Sequence, residues 1–401
     1  MPDPAPDLVT IRDLKKLATP QPAVRRFLAQ VEAVLQKTSK AGKPYFEIRF
    51  TDGLDSHIVR AFDDTPQFAK AQALRGGEFV EVSGEWFDSG QFGIDARWWD
   101  TRALSVGEVD ALLAGNGEFR ERQDDYEREI HGLIGAIADP RLRGVCERFM
   151  AAYGERMRRT GAARDYHHAR RGGLIEHVGQ MMLTATAICA AYPNLNRDLL
   201  LAGALFHDCG KLWENAFARE GFEMPHTDVG ELLGHIPTGM EIANKLWREM
   251  MDEDGEKFEA LEPPSDQVRL HLLHLIAAHH GEYQFGSPTV PKTPEAMVLH
   301  HVDNIDAKME MFLRGYERSA QLSRNVYQRA RPLPGNLVRP LPHFDASAAK
   351  PANETPDPAE ERSKTRRCPR RTPLNPLPLN RMARSRMRER RRTRRSRESE
   401  G

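Results

Sequence analysis

The period of the apolar residues changes once along this 401-residue chain, and that change sets a β region before a helical one. Between about residues 20 and 105 apolar and polar residues alternate, which puts every second side chain on one face of a strand. Tyr45-Phe46-Glu47-Ile48-Arg49-Phe50 and His57-Ile58-Val59-Arg60-Ala61-Phe62 flank the turn Thr51-Asp52-Gly53, and Phe79-Val80-Glu81-Val82-Ser83-Gly84-Glu85-Trp86 follows. Residues 24–35 supply a first strand. Phe92-Gly93-Ile94-Asp95-Ala96 supplies another after the turn Asp88-Ser89-Gly90. Short strands at this spacing predict a small β-barrel of the OB-fold kind over residues 20–110, preceded by an extension of residues 1–19. Another small β-domain is the alternative.

From about 118 to 330 the period is helical. Residues 126–137, 141–157, 174–191, 197–208, 232–251, 266–280 and 294–316 all repeat apolar positions at helical spacing. Asn196 caps one of these helices and Gly210 closes it; Thr293-Pro294 opens another. No alternating strand interrupts them, so this region is expected to be all-α. From residue 331 the chain turns Pro-, Ala- and Glu-rich, then Arg-rich. Residues 361–401 hold 15 Arg, one Lys and four Glu, a net of +12 in a chain whose formal charge is +0, so the first 360 residues carry −12. The stretch 381–397 has charge without apolar periodicity and is expected to be a disordered basic tail.

Cys146, Cys189, Cys209 and Cys368 show no paired short spacing, which excludes a disulfide framework or a zinc ribbon and fits a reducing cytosol. The apolar stretches 181–191 and 199–206 are separated by Pro193-Asn194 and fall short of the roughly 20 residues of a membrane helix. A cytoplasmic chain without a membrane partner is expected; nothing in the pattern specifies an oligomeric state.

Twelve of the 15 histidines lie between His167 and His301. Neutral imidazole is the commonest metal ligand, so this density inside a helical region points to metal binding. His207-Asp208 ends an apolar helix and is followed by Cys209-Gly210-Lys211. His177 follows Gly172-Gly173-Leu174-Ile175-Glu176, His235 follows Leu232-Leu233-Gly234, His279-His280 stops at Gly281, and Asp303 follows His300-His301-Val302. Each candidate sits on or at the end of a different helix, as in helical bundles that build two-metal sites from inward-facing His and carboxylates. A single His-Asp pair is expected by chance; the surroundings carry the argument.

The order His177, His207-Asp208, Asp303 resembles that of the HD-domain metal-dependent phosphohydrolases, with His235 and His279-His280 as the extra histidines of their two-metal branch. Tyr166-His167-His168-Ala169, Leu205-Phe206-His207-Asp208-Cys209-Gly210-Lys211, His279-His280-Gly281 and Asp303-Asn304-Ile305-Asp306-Ala307-Lys308 narrow the likeness to the YhaM-type 3′→5′ exoribonucleases. These carry an OB-fold before the HD domain. The likeness spans about residues 20–320 and does not include the Arg-rich tail.

The resemblance implies hydrolysis of single-stranded RNA or DNA from the 3′ end to nucleoside 5′-monophosphates by a hydroxide activated by two divalent ions. Mn²⁺ is favoured by the resemblance, and Fe²⁺, Co²⁺ or Mg²⁺ also fit imidazole and carboxylate donors. Asp208 is expected to bridge the ions. His177, His207 and Asp303 complete one site, and His235 with His279 or His280 the other. Lys211 is assigned to a phosphate oxygen, His168 to the substrate or to a ligand, and Asp306 to orienting a ligand or water. An acidic body binds phosphate chains weakly, so a local basic channel is expected from Arg170, Arg171 and Lys211. Phe46, Trp86, Phe92, Trp98 and Trp99 are candidates for stacking on bases, at most two of them in fact. The rival readings are an HD phosphodiesterase or nucleotidase acting on a small, cyclic nucleotide, a non-catalytic nucleic-acid-binding module, and a di-iron oxygenase.

Overall fold

Strand β2 (Ala23–Thr38) organises the N-terminal half because it is long enough to serve two partners. Its first half pairs antiparallel with β5 (Phe79–Asp88), its second with β3 (Pro44–Thr51), and the change of partner falls at Gln30. A register shift between Val31 and Ala33 bends the strand there, as an inserted residue does in a β-bulge. With β4 (Ser56–Phe62) and β6 (Ile94–Ala103) the order is β4-β3-β2-β5-β6. The computed structural model describes residues 6–90, 93–115, 117–164 and 167–344. Phe92, Tyr166 and the stretch 381–397 therefore lie outside the described residues.

One expectation needs correction. Among the described residues β4 and β6 do not pair, so the barrel is not closed. Helix α2 (Gln67–Ala73) packs against β3, β4 and β6 instead, filling the gap that a strand ladder would close. The N-terminal extension is also part of this core. Strand β1 (Asp7–Leu8) runs parallel to β2, and α1 (Ile11–Leu17) buries Ile11 and Leu14 beside Phe27, Phe50 and Trp86. The burial of those apolar side chains, about 1.5–3 kcal/mol each, ties α1 to the sheet.

The helical half begins with α3 (Val106–Leu113), α4 (Gly117–Gly135) and α5 (Pro140–Met157). It continues through α6 (Gly173–Ala191), α7 (Arg197–Phe206), the single turn α8 (Lys211–Glu214) and α9 (Asp228–Leu232). The last three are α10 (His235–Asp254), α11 (Ser265–Ala278) and α12 (Pro294–Arg318). Residues 199–206 of α7 are all buried, because α4, α5, α6, α11 and α12 surround it. Helix α6 is long and apolar enough to cross a membrane by length and composition. Half of it is buried in this core, including Glu176 and His177, so it reads as the core helix of the bundle. A hairpin of β7 (Val326–Tyr327) and β8 (Leu337–Val338) seats Tyr327, Leu333 and Leu337 against Phe312 and Tyr316 of α12. Ordered structure thus passes the expected boundary at residue 330.

The two halves meet along the segment after α8. Gln30 Oε1 accepts from the Phe222 amide at 2.8 Å, and the Phe222 ring lies edge-on to Phe79 and against Gly53. Arg318 of α12 donates to the Leu54 carbonyl at 3.0 Å.

Candidate metal centre

Helix ends supply the donors, and the unused carbonyls of those ends orient them. His207 caps the C-terminus of α7 and His279 that of α11. The last carbonyls of a helix lack intrahelical partners, and each imidazole takes one: His207 Nδ1 donates to the Ala204 carbonyl at 2.8 Å, His279 Nδ1 to that of Ile276 at 2.7 Å. His280 Nδ1 donates to the Phe285 carbonyl at 2.7 Å. Carbonyls only accept, so Nδ1 carries the proton and Nε2 keeps its lone pair. His235 opens α10 with Nδ1 2.9 Å from Glu214 Oε2, and His177, in the first turn of α6, donates Nδ1 to Asp306 Oδ2 at 2.6 Å.

The five Nε2 atoms converge on Asp208. Facing its Oδ2 are His207 Nε2 at 3.2 Å and His177 Nε2 at 3.7 Å, and His177 Nε2 is 3.4 Å from Asp303 Oδ1. Facing its Oδ1 are His235 Nε2 and His279 Nε2, both at 3.6 Å, with His280 Nε2 3.3 Å from His235 Nε2. Glycine permits this approach: a Cβ on Gly210 would collide with the His235 carbonyl oxygen, so a larger residue would push α10 off the turn that carries Asp208.

The donor set fits metal ions on two observations. His177 Nε2 and His207 Nε2 face each other at 3.2 Å, a spacing at which both can offer a lone pair to one cation. Asp208 Oδ1 and His279 Nε2 are buried without any hydrogen-bond partner, which is costly for polar atoms. Groups of donors close enough to share an ion are His235 with His279 and His280, His177 with His207 and Asp208, and His168 with His177 and Asp306.

Charge is strongly shifted at this centre. Burial opposes ionisation of Asp208, yet Lys211 and His207 outweigh it and hold its carboxyl well below the usual range. Lys211 Nζ donates to Asp208 Oδ2 at 2.6 Å. Asp303 and Asp306 are likewise held low against burial, Asp303 mainly by His177, Asp306 by His168 and His177. Burial, reinforced by the neighbouring histidines and opposed by Asp208, lowers His279 and His280.

A second layer stands behind His177. Asp306 Oδ2 also takes a hydrogen bond from His168 Nε2 at 3.0 Å, and Arg170 Nη2 lies 3.3 Å from His168 Nδ1. His168 adopts φ 45°, a left-handed backbone uncommon outside glycine and costly to hold. The structure therefore places His168 and Asp306 together, one hydrogen bond from a metal donor.

The stacking assignments need correction. Phe46 and Trp86 are 8% and 1% exposed. Phe46 packs on Phe68, Trp86 on Phe27 and His57 with its Nε1 donating to the Arg25 carbonyl, so neither ring can stack on a base. Trp99 is buried too, and Trp98 is 40% exposed. Arg170 is bound by Glu176 and Glu310, and Arg171 donates to the carbonyls of Ala218 and Gly221. Sequence reasoning missed Glu214, which holds His235, and His167. The His167 ring lies 5.6 Å from that of His177, and its Nδ1 is buried and unpartnered. The adjacent pair His167-His168 was the only available signal for the second of these.

An all-α bundle that turns five imidazoles and two carboxylates onto one point defines a metal-dependent phosphohydrolase of the HD type, and residues 174–308 match the HD domain family model. The chain belongs to the YhaM family of 3′-5′ exoribonucleases: it is 34% identical over 289 residues to the 3′-5′ exoribonuclease YhaM of Geobacillus sp. (strain WCH70), covering 72% of this chain and 83% of that protein. It is therefore an enzyme, a phosphodiester hydrolase. A solved structure of RecG bound to a three-way DNA junction shares 15% identity over 26% of this chain and 13% of that one at a TM-score of 0.20, too slight to bear on the fold.

Proposed function

We propose that the chain degrades single-stranded RNA from its 3′ end, releasing nucleoside 5′-monophosphates, with His177, His207, Asp208 and Asp303 holding one divalent ion and Asp208, His235, His279 and His280 a second. The observation that carries this reading is the division of Asp208: its two oxygens face two separate sets of imidazole lone pairs. Two divalent ions, when bound, supply a hydroxide nucleophile at neutral pH and offset charge on the phosphoryl oxygens. Imidazole-rich donors with a shared carboxylate suit Mn²⁺ or Fe²⁺.

The protein's own groups prepare the site. The Nδ1 bonds to Ala204, Ile276, Phe285, Glu214 and Asp306 aim every Nε2 inward. Such outer partners raise metal affinity by fixing ligand orientation. The Lys211 ammonium, held at Asp208, is placed to meet a phosphate oxygen entering the centre. The reducing cytosol suits the free, buried thiols of Cys146 and Cys209, and we infer a cytoplasmic enzyme.

The test uses short RNA and DNA strands labelled at the 3′ or the 5′ end, with Mn²⁺, Mg²⁺ or EDTA. A ladder shortened from the 3′ end, with label released as monophosphate and activity lost in EDTA, is expected. Asp208→Ala should abolish release, lower bound metal and leave helical circular dichroism unchanged. Full activity with normal metal content in that variant would defeat the two-ion reading. Cleavage of cyclic dinucleotides with intact RNA would promote the small-nucleotide phosphodiesterase.

A further inference from the structure

Two adjoining cavities of about 370 and 150 Å³ run along the seam between the sheet and the helical bundle, sharing Leu54, Phe119 and Arg170. Six arginines line the first and five the second; Arg170 lines both, so ten arginines face five carboxylates. This is a concentrated reversal of charge on a body that is acidic as a whole. The arginines come from separate places: Arg12 on α1, Arg120 on α4, Arg158 at the end of α5, Arg219 in the segment after α8, and Arg314 and Arg318 on α12.

Part of this charge is neutralised within the protein. Arg12 pairs with Glu317, Arg122 with Glu176, and Arg158 with Asp124 and Glu127. Arg159 likewise pairs with Glu155 at 3.4 Å, and Arg170 with Glu176 and Glu310. Among the described residues Arg120 has no carboxylate partner, and Arg219 reaches only Glu155, at 3.6 Å, with its side chain 75% exposed. Burial, reinforced by Arg318 and opposed by Glu310, pushes the Arg314 guanidinium down to about 10.

We propose that this seam binds the phosphates of a single RNA strand upstream of the nucleotide being removed. The inference rests on the exoribonuclease reading and names where that substrate lies. Three features select a strand over an isolated phosphate. The cations are spread over six separate places in the chain, the two cavities adjoin along a line, and their walls come from both halves of the protein. Arg170, which lines both cavities, is also tied to the centre: its Nη2 is 3.3 Å from His168, which holds the Asp306 that orients His177. The sheet thereby contributes a wall of the groove rather than the stacking surface expected of Phe46 and Trp86.

The experiment compares the intact chain with Arg120→Ala/Arg219→Ala, two exposed positions, and with the double lysine variant. Rates are measured on a trinucleotide and on a strand of roughly 16 nucleotides, the upper end of what one OB fold tracks. Binding of the longer strand is followed by fluorescence anisotropy in EDTA across a salt series. The alanine variant should raise KM for the long strand about tenfold more than for the trinucleotide, and reduce the salt slope by about one per arginine. The lysine variant, which keeps the charge, should recover most of both. Equal effects at both lengths, or an unchanged slope, would overturn the proposal. So would inorganic phosphate removing the difference between intact chain and variant, which would make the seam an isolated anion site. If the anisotropy difference is present but no strand is shortened from its 3′ end, the exoribonuclease reading fails and the groove stands.

Discussion

At the centre each imidazole has its Nδ1 proton committed elsewhere, so the geometry of the donors depends on residues that touch no metal. Asp306 is the clearest of them, since it holds both His177 and His168. Replacing Asp306 by Asn leaves its volume but weakens the partner of His177 Nδ1. The expected result is a roughly 10–100-fold loss of metal affinity with unaltered helix content, read by metal titration and circular dichroism; retention of wild-type affinity would remove Asp306 from the site's support. A second residue makes stability depend on pH far from the centre. Burial in the sheet core, aided by Lys15 and Arg60 and opposed by Asp95 and Asp55, pushes His57 down to about 4. Its folded pKa is below the unfolded value of 6.5, so the unfolded chain binds the extra proton. Stability is then full above pH 6.5 and falls as the pH drops towards 4, by up to about 3 kcal/mol. His57→Leu should flatten that slope in denaturant titrations; an equally steep loss would assign it to other groups.

At the level of elements, the helices that carry donors were legible because every donor but Asp303, inside α12, stands near a helix start or stop signal. The last elements were not. The hairpin of β7 and β8 is made of two-residue strands, too short to show any period, inside a segment whose composition resembles the tail. Only contact with α12 gives it a reason to form: Leu333 and Leu337 are each 2% exposed there. Leu337→Ala should cost about 2 kcal/mol, the lower end for a buried leucine, and a chain stopped at residue 330 should melt earlier than one stopped at 344. Identical melting of the two would show that the hairpin contributes nothing.

For the molecule as a whole, Phe222 is the contact that connects the sheet to the segment following the Lys211 turn. Its ring fills the space left by Gly53 and meets Phe79, while its amide is held by Gln30. Phe222→Ala opens this joint. Calorimetry should show one unfolding transition in the intact chain and a broader or divided one in the variant, and long strands should lose more affinity than short ones. A single sharp transition at the original temperature would mean that the two halves are coupled elsewhere along the seam.

The sequence by itself determined the division into alternating and helical halves, because periods of 2 and 3.6 are local properties of the chain. His177, His207, Asp208, His235, His279, His280 and Asp303 were named from helix context and resemblance, and the fold gathers them in two groups about Asp208. Three matters were decided only by the tertiary structure. An alternating strand shows which residues share a face but not which face is inside, so Phe46 and Trp86 could not be told from exposed aromatics until α1 and α2 covered them. Whether β4 meets β6 depends on how far β2 bends, and that is a property of the assembled sheet. The basic groove gathers arginines from residue 12 to residue 318; charges so far apart in sequence act together only after folding brings them within a Debye length.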